Sequence, residues 1–158
     1  MRKRSKYKPK PVRLDTLNFV RTGITRFLNV GMAVDLRIKN HTALESVQLG
    51  QATKAHIDTL IGAFNMAEGL AQLDIGSDWA AEIRAGQDAL WSLCQRNPRF
   101  ICRGVELQAL RLAMEIHDAQ LEVCTIQQLE KALDIIQDTI KHKKARAVNK
   151  KTEAPCTT

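Results

Sequence analysis

The chain has 158 residues, 44% of them hydrophobic and 26% charged, which suits one domain able to bury a core without disulfide or metal staples. Its formal charge of +7 is spread unevenly: residues 1–13 hold seven Lys/Arg and no acid, residues 141–158 hold six and one Glu, and residues 14–140 hold eleven basic and sixteen acidic side chains. An acidic body between two cationic ends excludes a uniformly basic domain and points to a polyanion or an acidic partner gripped by the ends.

In chain order, residues 1–13 cannot bury apolar area and repel themselves, so a disordered or extended arm is expected, with Pro9 and Pro11 discouraging helix. No apolar h-region follows this basic head, and no apolar run approaches the roughly 20 residues that span a bilayer. The expectation is therefore a cytoplasmic protein with no membrane contact. Cys94, Cys102, Cys124 and Cys156 match no zinc spacing and read as reduced thiols.

Leu17, Val20, Ile24 and Leu28 recur at steps of three and four after Asp15 and Thr16, a helical stripe that Gly23 and Gly31 weaken; residues 30–39 read as irregular or extended. Thr42 and Glu45 make a capping box that opens a short helix ending at Gly50. Thr53 caps the next helix, which runs to about Leu73, with Gly76 as terminator and Ser77 as the following cap. Residues 78–96 form a third helix closed by Asn97-Pro98, residues 105–123 a fourth, and Thr125 with Gln128 caps a last helix running to about Arg146. Short loops imply antiparallel neighbours. The fold class expected is all-α: one helical domain over 14–146, a bundle of about five helices, with a basic arm at 1–13 and a polar tail at 147–158.

Two helices place polar groups on their apolar stripes. Glu68 follows Phe64 by four residues within the stripe of Ile57, Leu60, Ile61 and Ala67. His117 stands between Leu110 and Leu121, and Gln87 borders the stripe of Trp79, Ile83, Leu90 and Cys94. A polar group on a core face must be partnered or costs several kcal/mol. The pattern predicts a partly buried cluster of Glu68, Gln87 and His117, with Asp88 and Asp118 at its rim. Such a cluster is either a small-molecule or metal pocket or a satisfied network that sets helix register.

The His117-Asp118 dipeptide matches one element of the HD type of metal-dependent phosphohydrolase, with His41 or His56 as an upstream ligand and Asp134 or Asp138 as a downstream one. The helical step turns Asp118 about 100° from His117, against that reading. Glu115, Asp118 and Glu122 share a face suited to magnesium, but it lies opposite the apolar stripe and lacks a paired Glu-x-x-Glu helix. Glu130, Asp134 and Asp138 read as a solvated face. There is no glycine-rich phosphate loop and no hydrolytic triad, so no cofactor and no resident metal is expected.

The head offers Arg2, Lys3, Arg4, Lys6, Lys8, Lys10 and Arg13 to phosphates and Tyr7 to a base; Lys141, Lys143, Lys144 and Arg146 offer a second grip. Arms of this kind bind without reading sequence. The competing reading is a protein-binding module whose helical body meets a host protein.

The segments Met1–Lys10, Leu36–Leu44, Glu82–Leu90 and Met114–Glu122 together resemble small proteins of tailed phages and prophages of proteobacteria that carry no assigned activity. The likeness spans most of residues 1–146. It implies an accessory protein made inside an infected or lysogenic bacterium and implies no mechanism. The function expected is non-enzymatic binding of nucleic acid or a host protein, with a metal-dependent phosphohydrolase as the alternative.

Overall fold

A computed structural model describes residues 30–96 and 100–142. The basic head, the stripe from Leu17 to Leu28, the Asn97-Pro98 stop and the chain after His142 lie outside the described residues.

Helix α1 spans Val30–Gln48 without interruption, which corrects two expectations. Residues 30–39 are helical, and Thr42 opens nothing: its hydroxyl donates to the Ile38 carbonyl one turn back at 2.7 Å, as Ser46 does to Thr42 at 2.8 Å. A threonine inside a helix satisfies its hydroxyl this way, so the capping pattern is spent locally. Burial decides the matter, because Asn40, Ala43, Leu44 and Val47 form one inward stripe that crosses Thr42 without a break, and the partly buried Leu36 continues it toward the start of the helix. Gly50 ends the helix as expected, at φ +69°, with bonds from Gly50 N to Val47 O and from Gln51 N to Ser46 O. This is a Schellman motif, in which the left-handed residue costs glycine nothing.

Helix α2 (Lys54–Gln72) starts at Thr53, whose hydroxyl accepts from His56 N while Thr53 N donates to the His56 ring. It ends at Leu73 as expected, but Gly76 is not the residue that terminates it. Asp74, at φ +66°, takes the left-handed position, with Ile75 N bonding Leu70 O and Asp74 N bonding Ala71 O. Aspartate tolerates this conformation, and Asp74 also accepts from the Ser77 hydroxyl at 2.7 Å. Gly76 is a second left-handed residue, and Ser77–Trp79 forms a single 3₁₀ turn before α3 (Ala80–Arg96).

Helix α4 spans Gly104–Val123 and α5 spans Ile126–Lys141. The start of α4 is tied to the end of α3 by Arg96, which donates to both Glu106 oxygens at 2.7 and 2.6 Å, while Glu106 also accepts from Arg103 N. Thr125 caps α5 in the expected box with Gln128. His142 is the C-cap of α5, so the expected extension to Arg146 falls on residues outside those described.

The result is an all-α bundle of five helices, with no strand among the described residues. Helix α2 is its axis and packs against the other four; α3 packs on α4, and α1 on α4. Ile57, Leu60 and Phe64 of α2 meet Leu44 and Val47 of α1, Leu90 and Leu93 of α3, and Leu110 and Met114 of α4. A second cluster at the other end joins Leu70, Leu121, Cys124 and Ala132, with Leu36 against it. Two glycines set helix approach. A Cβ on Gly86 would lie 2.4 Å from that of Ala113, and one on Gly69 would lie 3.1 Å from Ala132. Ala132 is the one α5 residue that is fully buried.

Candidate functional site

Helix α5 touches the bundle chiefly through α2 and makes no substantial contact with α3. A cleft of about 400 Å³ is left between α2, α3 and α5. Its apolar walls come from Ile61 and Phe64 of α2, Leu90 and Trp91 of α3, and Ile136 and Ile140 of α5. Its polar side carries Glu68, Gln87, Arg84 and Asp88. The Gln87 amide donates to Glu68 Oε2 at 2.9 Å and, more loosely, to Asn65 Oδ1 and the Phe64 carbonyl at 3.4 Å. Arg84 approaches the other Glu68 oxygen at 3.7 Å. Cys94 lines the far end, its thiol pushed up by burial and by the nearby Asp58 carboxylate.

Glu68, Gln87 and Asp88 thus share one cleft, but His117 and Asp118 are elsewhere, and the expected five-residue cluster is two separate groups. The cause is the azimuth of α2. Ala67 faces α4, its carbonyl accepting from Gln120 Nε2 at 3.0 Å. Glu68, one step on, is turned about 100° toward α3. Its side chain is half-buried rather than in the core, at 39% exposure.

His117 is inside the bundle, 1% exposed, with Nδ1 unpartnered among the described residues. Its pKa is pushed down to about 4 by burial, against the pull of Asp118 and Gln120, with Arg37 adding to the depression. The imidazole is therefore neutral at ordinary pH. Buried Asn40 and Gln120 each carry an orphaned polar atom as well.

Asp118 turns outward to α1. Its Oδ2 is 2.6 Å from His41 Nε2, and Arg37 donates to its carbonyl at 2.8 Å and to Glu122 Oε1 at 2.7 Å. These ties clamp α1 onto α4. His56 is committed to the α2 cap, Asp138 lies beside Lys141 at 3.5 Å, and no three His, Cys, Asp or Glu side chains among the described residues are grouped to hold a metal ion. The expected ligand set for a phosphohydrolase is thus dispersed.

One stripe expectation fails: Trp79 is half-exposed on the 3₁₀ turn. On α5 the apolar Leu133 and Ile140 are likewise 45% and 58% exposed. The cleft residues Trp91, Arg84 and Asn65 were invisible to stripe reading, since each belongs to its helix's flank. Of the cationic residues, Lys141 is exposed; Arg2, Lys3, Arg4, Lys6, Tyr7, Lys8, Lys10, Arg13, Lys143, Lys144 and Arg146 lie outside the described residues.

No family model, no curated protein and no solved structure matches the chain. Among the described residues no helix is long and apolar enough to cross a membrane.

Proposed function

We propose that this chain is a non-enzymatic accessory protein, of the phage-encoded kind that its sequence resembles, which binds nucleic acid through its cationic ends. The observation that carries this reading is the segregation of charge. Seven Lys/Arg precede residue 14 and six follow residue 140, around a body with sixteen acids and eleven bases. Phosphates are attracted to the ends and repelled by the body, which sets orientation without base readout. The dispersal of Glu68, His117 and Asp118 supports binding over the phosphohydrolase alternative, because that chemistry needs its ligands within one coordination shell.

The test is a salt titration of full-length protein on random duplex DNA and on single-stranded RNA. Seven phosphate contacts from the head give a slope of about −6 in log K against log salt on duplex. Replacing Arg2, Lys3, Arg4, Lys6, Lys8 and Lys10 with Gln should flatten that slope and weaken both complexes. Binding that ignores salt and these replacements refutes the reading. Stoichiometric capture of an acidic host protein, with no nucleic-acid affinity, transfers the role of the ends to that partner.

A further inference from the structure

We infer that α1, α2 and α4 enclose a binding site for one water molecule, held by Asn40 Nδ2, His117 Nδ1 and Gln120 Oε1. The site is separate from the cationic ends and from the cleft beside α5, and three observations lead to it.

The first is burial without partners. Asn40, His117 and Gln120 are 2%, 1% and 2% exposed, and each has a side-chain atom with no hydrogen-bond partner among the described residues. Buried polar atoms are nearly always bonded, to protein or to ordered water, because an orphan loses its solvation for nothing. The remaining orphans are of another kind. Arg37 Nε and Asp118 Oδ1 face each other at 3.7 Å, and Glu82 is on α3.

The second is convergence. Arg37 and His41 of α1 both reach Asp118, the residue next to His117. Asn40 lies between those two in sequence and is turned inward, as His117 is, so both sit at one height of the α1–α4 interface. Gln120 follows one turn along α4. Its Nε2 donates to the Ala67 and Ile75 carbonyls at 3.0 and 2.7 Å, which fixes the amide and leaves Oε1 as the free acceptor. Gln120 is close enough to the imidazole to help favour its charged form. Together the three make a polar layer between two apolar ones. Leu44 with Met114 lies on one side, and Leu36 with Leu121 on the other.

The third is chemistry. Asn40 Nδ2 only donates and Gln120 Oε1 only accepts, while Nδ1 of the neutral imidazole does one or the other according to its tautomer. A molecule that both donates and accepts serves all three, and about three bonds is what a buried water makes. An ion would stand uncompensated in this layer, since Arg37 and Asp118 already answer each other. The bound water ties α1 to α4, and through Gln120 to α2, at the middle of the bundle.

The experiment is water NOE and ROE spectroscopy on the isotope-labelled full chain at neutral pH. The water resonance should give cross-peaks to both the Asn40 side-chain amide and the His117 ring. Their signs should be opposite in the two spectra, as for a long-lived bound water and unlike chemical exchange. Asn40→Leu, apolar and of similar size, should abolish the His117 cross-peak, and His117→Met should abolish that of Asn40, while circular dichroism stays helical. Missing cross-peaks in the wild type, or a His117 cross-peak that survives Asn40→Leu, overturns the assignment. Should either variant fail to fold, a high-resolution crystal structure of the wild type decides. One solvent peak about 3 Å from all three atoms upholds the site, and direct bonds among the three side chains overturn it. Failure here leaves the salt-dependent nucleic-acid prediction untouched, since that is read at the ends.

Discussion

Acidification should unfold this protein through His117. In the folded state the imidazole titrates at about 4, because burial removes the solvent that would stabilise its charge; in the unfolded chain it titrates at its ordinary 6.5. Between those values the unfolded state binds the proton and the native state does not. Stability contributed by the neutral side chain is thus fully present above pH 6.5 and is lost as pH falls toward 4. Each pH unit of that gap is worth ~1.36 kcal/mol, so the whole window removes about 3 kcal/mol. That is a large share of the 5–15 kcal/mol typical of a domain. The assay is urea unfolding, followed by circular dichroism at half-unit steps from pH 7.5 to 4, on wild type and on His117→Met, which cannot titrate and fills a similar volume. Asp118, Arg37, His41 and the Arg96–Glu106 pair remain in both proteins, so the difference between the curves isolates His117. The stability of wild type relative to His117→Met should fall steadily between pH 6.5 and 4. Parallel curves would refute the reasoning, showing that the native protein protonates the imidazole at no cost.

Gly86→Ala tests close helix approach. The added Cβ gains about 1 kcal/mol of helix propensity but meets Ala113 at 2.4 Å, so a net loss of roughly 1–3 kcal/mol is expected; an unchanged or higher melting temperature contradicts the packing. Thr53→Ala and Thr125→Ala should each cost ~1 kcal/mol as true caps, whereas Thr42→Ala should stay within about 0.5 kcal/mol; equal losses at all three would restore a helix start at Thr42. Glu68→Leu should change stability by less than about 1 kcal/mol, because its Arg84 partner is exposed and Gln87 keeps two other acceptors. A loss of several kcal/mol would instead place that carboxylate in the core.

Local chemistry was legible wherever it acts within one turn. The caps at Thr53 and Thr125 and the stop at Gly50 depend on side chains three or four residues apart and on one left-handed residue, so a reading of neighbours finds them. The same reading missed Asp74, because glycine two positions later is the stronger signal for a left-handed turn. It also started a helix at Thr42, where the pattern of a capping box is real but the inward stripe of α1 passes straight through it.

Periodicity also identified Glu68, Gln87 and His117 as polar groups on or beside apolar stripes, but it could not say that they face different neighbours. A stripe records which residues share a side of one helix. The partner of that side is set by how five helices are rotated and spaced, and a single step of about 100° between Ala67 and Glu68 sends one to α4 and the other to the cleft. The same limit explains Trp79, Leu133 and Ile140, apolar residues at helical spacing that the bundle leaves exposed. Composition and spacing alone determined that the described residues are helical, that Thr53 and Thr125 are caps, and that the charge is divided between body and ends. Only the tertiary arrangement decided which polar groups meet, that the imidazole is sealed from water, and that a cleft stays open beside α5, because burial is a property of pairs of surfaces and not of either one.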